Sequence, residues 1–84
     1  MIKNIYSVYD LKAGNCLGIF EQPNDLVAIR DFSQVCANKD EKNMINKFAE
    51  DYQLIRLGKY NTITGEIEAD KQIVAYATDY VGEK

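Results

Sequence analysis

One amphipathic segment lies between two groups of strand-like segments, and this arrangement constrains the fold more than any other feature. After Asn24, apolar residues recur at helical spacing, namely Ala28, Ile29, Phe32, Val35 and Cys36. Asn24 or Asp25 can cap the first free backbone N–H groups. These features predict one main helix at about 24–37. Since a lone helix can cover only one face of a sheet, we predict an α+β fold, an antiparallel sheet of four to five strands with that helix packed on one face.

The strand-like segments are short runs of β-favouring residues that end at turn residues. They cover residues 2–11, 16–20, 52–60, 66–69 and 73–80, and the last is read either as a fifth strand or as an ordered tail. A hairpin is expected at 61–65, where Gly65 can take a positive φ. Residues 44–48 fit either a short second helix or a loop. No domain boundary is visible, so residues 1–84 are expected to form a single domain, with 70–84 as a candidate for a partly ordered acidic tail.

Tyrosines beside basic residues suggest a surface that could bind a ligand. Tyr6 and Val8 fall on one face of the first strand, and Ile5 and Tyr9 fall on the other. In the third strand, simple alternation places Tyr52, Leu54, Arg56, Gly58 and Tyr60 on one face and Gln53, Ile55, Leu57 and Lys59 on the other. Aromatic rings that stack on bases, beside cations that hold phosphates, are typical of single-stranded nucleic-acid sites. The candidate nucleic-acid-binding residues are Tyr6, Tyr9, Arg30, Arg56, Lys59 and Tyr60. The alternative is that these tyrosines belong to the core or to a dimer interface.

Charge and residue content argue against several other functions. The net charge is −3 and comes from the segment after residue 60, whereas nucleic-acid domains usually carry a basic surplus. The chain has no histidine and only two, widely separated cysteines, so we expect no Cys/His zinc site, no cofactor and no enzyme activity. The acidic pair Glu66 and Glu68 is more typical of a solvated sheet edge than of a catalytic or metal site. Because a chain of this length builds a thin core, a homodimer or larger homo-oligomer is expected.

The sequence also gives an expectation about location. It contains no apolar run near the about 20 residues that a membrane span needs, and its first residues do not form a signal peptide. We therefore expect a cytoplasmic protein that makes no membrane contact.

Several short motifs, taken in order, resemble a known family. They are Tyr6-Ser7-Val8-Tyr9-Asp10, then Asn24-Asp25 with Ala28-Ile29-Arg30 and Phe32, then Asp51-Tyr52 with Leu54 and Gly58, then Thr64-Gly65-Glu66-Ile67. This set resembles the small nonstructural protein of gokushovirus-type Microviridae, which are phages with single-stranded DNA. The resemblance implies a protein of the infected bacterial cytoplasm that is absent from the virion. It also implies a role in viral DNA replication, single-strand synthesis and packaging, or DNA binding, and it brings no catalytic residues.

Two functions follow from these expectations. The first is an oligomer that binds single-stranded DNA on an exposed sheet face. The second is an adaptor that binds the replication initiator or the host replication machinery without touching nucleic acid.

Overall fold

The computed structural model describes residues 1–81 and contains one four-stranded antiparallel sheet with the order β2-β1-β3-β4. The strands are β1 (Ile2–Asp10), β2 (Asn15–Gln22), β3 (Tyr52–Asn61) and β4 (Ile67–Tyr76). The main helix is α1 (Asp25–Ala37), and a short helix α2 (Met44–Lys47) follows it. Two 3₁₀ turns, Ala49–Asp51 and Ala77–Asp79, precede β3 and follow β4. The predicted α+β fold is confirmed.

Helix α1 begins where the sequence predicts. The Asn24 side chain accepts a hydrogen bond of 2.9 Å from the backbone N–H of Val27, which caps the first turn. The apolar face of the helix buries Ala28, Phe32 and Cys36 against the sheet. Cys36 is completely buried, and Cys16 is an exposed free thiol on β2.

The core lies between α1 and one face of the sheet. Tyr6 and Leu54 supply its largest fully buried side chains from the two central strands, and Ala75 contributes from β4. The ring of Tyr6 also stacks on Phe20 of β2, with 5.9 Å between ring centroids. The opposite face of the sheet carries no helix in residues 1–81, and we call it the open face.

The end of the chain differs from the prediction. Residues 67–76 form one strand, so the two segments expected as a fourth and a fifth strand are a single β4. The polar stretch between them is tolerated because β4 is an edge strand and most of its residues are exposed. Residues 70–76 are thus part of the sheet and not of a tail, and residues 82–84 of the expected tail lie outside the described residues.

A β-bulge in β3 changes which residues share a face. Tyr6 pairs with Arg56, and Ile5 pairs with Gly58, so Leu57 is an extra residue on β3. Since cross-strand partners share a face, the bulge puts Arg56 on the helix side and Tyr60 on the open face. The expected simple alternation, with both residues on one face, is wrong. Gly58 also allows β4 to approach closely, because a Cβ there would lie 2.3 Å from the carbonyl oxygen of Glu68.

Candidate functional site

A polar network on the helix side joins three elements through Asp25. The Tyr6 hydroxyl donates a hydrogen bond of 2.5 Å to Oδ1 of Asp25, and Arg56 Nη1 donates one of 2.7 Å to Oδ2. Asn4 Nδ2 donates to the Tyr6 hydroxyl at 3.0 Å. The second guanidinium nitrogen of Arg56 lies 3.4 Å from the Asp70 carboxylate. The network therefore ties β1, β3 and β4 to the first residue of α1.

The pKa values of these groups reflect their surroundings. Burial, with the hydrogen bond to Asp25, raises the pKa of Tyr6 to about 12. Burial opposes ionisation of Asp25, but the hydrogen bonds from Tyr6 and Arg56 outweigh it and lower the pKa of Asp25. The network thus consists of a neutral phenol, a carboxylate and a guanidinium that satisfy one another.

This network removes two residues from the candidate nucleic-acid surface. Tyr6 is fully buried, so its ring cannot stack on a base, and it serves the core instead. Arg56 is neutralised by two carboxylates, which leaves little free positive charge for a phosphate. The prediction that Tyr6 and Arg56 lie on the candidate surface is therefore wrong. The sequence does not reveal the network that holds them, because β1 is apolar on both faces and Asp25 is distant in the chain.

The other basic candidates are also not on the open face. Lys59 pairs with Asn4 and Glu68, so it lies on the helix side of the sheet. Arg30 is an exposed residue of α1, 3.6 Å from the carboxylate of Asp31. The six candidates therefore do not form one cluster, and only Tyr9 and Tyr60 lie on the open face.

The open face is defined by cross-strand partners that form four rows. The first row is Cys16, Tyr9, Gln53 and Tyr76, and the second is Ile19, Ser7, Ile55 and Ile73. The third row is Glu21, Ile5, Gly58 and Ala69, and the fourth is Lys3, Tyr60 and Ile67. The face therefore consists mainly of apolar and aromatic side chains, with Lys3 and Glu21 as the charged members of these rows.

Apolar groups on the edge strands of the open face are in contact with solvent. Ile19 and Ile67 are each 72% exposed, Ile73 is 50% exposed and Tyr76 is 48% exposed. Between these edges the small Ser7 and the neighbouring Ile55 are buried. Ile19 and Ile67 also line a shallow depression of about 390 Å³. Contiguous exposed apolar surface of this kind is typical of protein-binding sites.

The charged members of the four rows lie together at one end of the open face. Lys3 Nζ is 3.9 Å from the Glu21 carboxylate, and the Tyr60 hydroxyl donates a hydrogen bond to the same carboxylate. This hydrogen bond raises the pKa of Tyr60. Lys3 is thus matched by Glu21, and Lys71, which alternates with Ala69 and Ile73 on β4, adds a further positive charge to this face.

Sequence reasoning missed Ile19, Ile73 and Tyr76 as open-face residues. The apolar run at 73–80 was a usable signal, but its pairing with Gln53 and Ile55 depends on bulges in β3 and β4. In residues 1–81 no group of three or more Cys, Asp or Glu side chains is placed to hold a metal ion. None of the helices in that part of the chain is long and apolar enough to cross a membrane.

Comparison with known proteins gives one family. The model of the Phage ORF5 protein family matches residues 3–80, which include β2, β3, β4, the main helix and all of β1 except its first residue. Neither the curated proteins nor the solved structures gave a match to the chain.

Proposed function

The chain belongs to the Phage ORF5 protein family, and from this membership we propose that it is a nonstructural accessory protein of a Microviridae-type phage. In this proposal it acts in viral DNA replication in the cytoplasm of the host bacterium, by binding a protein partner through the open face. The replication role is supported by the sequence resemblance to the small nonstructural proteins of such phages. The partner is the replication initiator or a component of the host replication machinery.

The exposed apolar surface of the open face is the observation that carries this proposal. Ile19, Ile67 and Ile73 keep half or more of their surface in water, although burying such a side chain fully is worth about 1.5–3 kcal/mol. A protein surface can cover these side chains, whereas a phosphate backbone gains nothing from them. The face also offers little positive charge to a polyanion, because Glu21 pairs with Lys3 and β4 adds Lys71 alone.

Binding, and not catalysis, is the proposed mode of action. The sequence has no histidine to act as a general base near neutral pH. Cys36 is buried, and burial raises the pKa of its thiol to about 11, which disfavours the thiolate that a nucleophile requires.

A nuclease-treated pull-down from phage-infected cells tests the proposal. The phage replication initiator, or a host replication protein, should be recovered with the tagged chain. Ile73→Glu should abolish recovery, because it places a carboxylate within the apolar surface that the partner would cover. Leu26→Glu is the matched control, since Leu26 is 77% exposed but lies on α1, away from the open face.

The proposal is supported if the partner is still recovered after nuclease treatment, if Ile73→Glu abolishes this recovery, and if Leu26→Glu leaves it unchanged. Equal recovery with Ile73→Glu, or recovery that nuclease abolishes, contradicts it.

Single-stranded DNA is the second candidate ligand, because the open face carries three tyrosines. Tyr9, Tyr60 and Tyr76 lie on it, and Lys3 is the cross-strand partner of Tyr60. Base stacking on an aromatic ring is worth about 1–3 kcal/mol per base. Titration of a labelled oligonucleotide at about 50 mM salt tests it, since electrostatic binding is strongest at low salt. Binding that Tyr9→Ala and Tyr76→Ala weaken would favour DNA over a protein partner, and no binding at that salt would exclude it.

A further inference from the structure

We propose that, in the absence of its target, the chain forms a homodimer in which the open faces of two copies pack against each other. The inference rests on the proposed function, because it names the first partner of the same protein-binding face. In this dimer both sheets are inside and both α1 helices are outside.

A second copy supplies what the single subunit lacks. Within residues 1–81 the largest fully buried side chains are Tyr6, Leu54, Cys36 and Ser7, which form a small core for one sheet and one helix. Small domains commonly gain stability from a partner chain when they have no disulfide or metal. Both cysteines are free thiols, so no disulfide within the subunit provides that stability.

The area of the open face is close to what a dimer needs. Four strands spaced by about 4.8 Å, with rows spanning about 24 Å, give a flat area of about 450 Å². Side chains that stand out of the sheet add accessible area, which brings each copy near the about 600 Å² at the lower end of stable interfaces. Interfaces of standard size range from micromolar to picomolar in dissociation constant, and we place this dimer at the weak end, on the order of micromolar, so that the face can exchange its second copy for a target.

The open faces of two copies have complementary arrangements of side chains. A two-fold axis that lies between the sheets, parallel to the strands, sets β2 against the partner's β4 and β1 against the partner's β3. Ile19 of one copy then meets the equivalent of Ile73 in the other, and these are exposed isoleucines on opposite edges of the face. In the next row, Ile5 meets the equivalent of Gly58, which places a large side chain over a position without one. Such large-to-small matches are how packed layers interdigitate.

The charged groups also fit this axis. Lys3 of one copy lies over the ring of Tyr60 in the other, an arrangement that favours a cation–π contact. Glu21 lies opposite the equivalent of Ala69, so no like charges are brought together. The Lys3 and Glu21 groups remain at the end of the face, where water reaches them.

Sedimentation equilibrium of the purified full chain tests for the dimer. The wild-type protein and Leu26→Glu should show reversible dimers at micromolar concentration. Ile73→Glu should raise the dissociation constant by about tenfold or more, because an unpaired carboxylate would be buried opposite the equivalent of Ile19. A wild-type monomer at about 100 μM would overturn the inference, since that concentration far exceeds the expected dissociation constant.

Cross-linking tests the orientation and does not depend on Ile73→Glu folding correctly. In a Cys16→Ser background, the double variant Ile19→Cys/Ile73→Cys is treated with a short bismaleimide. The two sites lie on opposite edge strands, about 14 Å apart within one copy. A linker shorter than this distance therefore cannot join them inside one subunit. If the double variant forms linked dimers efficiently and Ile19→Cys alone forms few, the result supports a two-fold axis parallel to the strands. Equal linking by Ile19→Cys alone would contradict it.

Failure of this inference is distinguishable from failure of the proposed function. A monomeric wild-type chain that still captures the replication protein through Ile73 refutes only the dimer. A dimer that captures no replication protein refutes only the proposed function.

Discussion

Replacing Asp25 with alanine removes the acceptor that joins Tyr6 and Arg56, so it tests the polar network directly. The buried Tyr6 hydroxyl would lose its acceptor, which costs about 1–3 kcal/mol. The side chains of Arg56 and Asp25 are 21% and 37% exposed, so water screens their ion pair, and its loss adds no more than about 1 kcal/mol. Loss of the acid in the first turn of α1 adds about 0.3–1 kcal/mol. We therefore expect a total loss of about 1–5 kcal/mol from the free energy of unfolding.

Urea denaturation followed by circular dichroism, with all variants at one protein concentration, measures this loss. With a slope of about 1 kcal/mol per molar urea, the midpoint should fall by about 1 M or more. Asp31→Ala is the matched control on the same helix. Asp31 accepts a hydrogen bond of 2.8 Å from Gln22 but is nearly half exposed, and its loss should cost only about 0.5–1 kcal/mol.

The pH dependence and a double-mutant cycle make the test sharper. Because the pKa of Asp25 is lowered in the folded state, its contribution is full above its usual value of 3.8 and is lost as the pH falls below it. The difference in the free energy of unfolding between wild type and Asp25→Ala should therefore become smaller in acid. Tyr6→Phe should cost much less in the Asp25→Ala background than in the wild type, since the donor has already lost its partner. If the two costs simply add, or if Asp25→Ala costs no more than Asp31→Ala, the network does not stabilise the fold as we describe.

Three further predictions follow from particular residues. Alkaline titration at 295 nm should show one tyrosine ionising near pH 12 that Tyr6→Phe removes. The raised pKa of Tyr6 stabilises the fold below pH 10, and that contribution is lost as the pH rises through 12. If all tyrosines titrate at their ordinary pKa, the buried placement of Tyr6 is contradicted. At pH 8 a thiol reagent should modify Cys16 quickly and Cys36 only after unfolding, because Cys36 is buried and its pKa is raised to about 11, whereas two fast thiols would contradict this. Gly58→Ala should destabilise the chain by about 1–3 kcal/mol in urea denaturation, because the new Cβ would collide with the Glu68 carbonyl, whereas an unchanged midpoint would show that β4 does not approach this closely.

The elements that depend on local sequence were predictable. The cap at Asn24 and the spacing of Ala28, Phe32 and Cys36 define α1, and these signals lie within one segment. The turn before β4 likewise depends on one local residue, Gly65, which adopts the expected positive φ of 80°. Local signals of this kind were sufficient for the fold class and for most strand positions.

The composition of the open face was not predictable, because it depends on register. One extra residue in β3, Leu57, moves Tyr60 to the side opposite Arg56. Tyr6 and Tyr9 both lie on β1, and nothing local distinguishes the tyrosine that α1 buries from the one on the open face. The partner of Arg56 is Asp25, 31 positions away in the chain, so its neutralisation appears only in the folded structure.

The most direct test of the open face as the functional surface is the yield of viral single-stranded DNA from phage that carry single codon changes. Ile73→Glu and Leu26→Glu each replace an exposed apolar residue with the same acid, but only Ile73 lies on the open face. We expect Ile73→Glu to lower the yield by about tenfold or more, in line with the loss of affinity when a carboxylate enters an apolar contact, and Leu26→Glu to leave it unchanged. Wild-type yield from the Ile73→Glu phage, with the variant protein folded and present, would contradict a functional role for the open face.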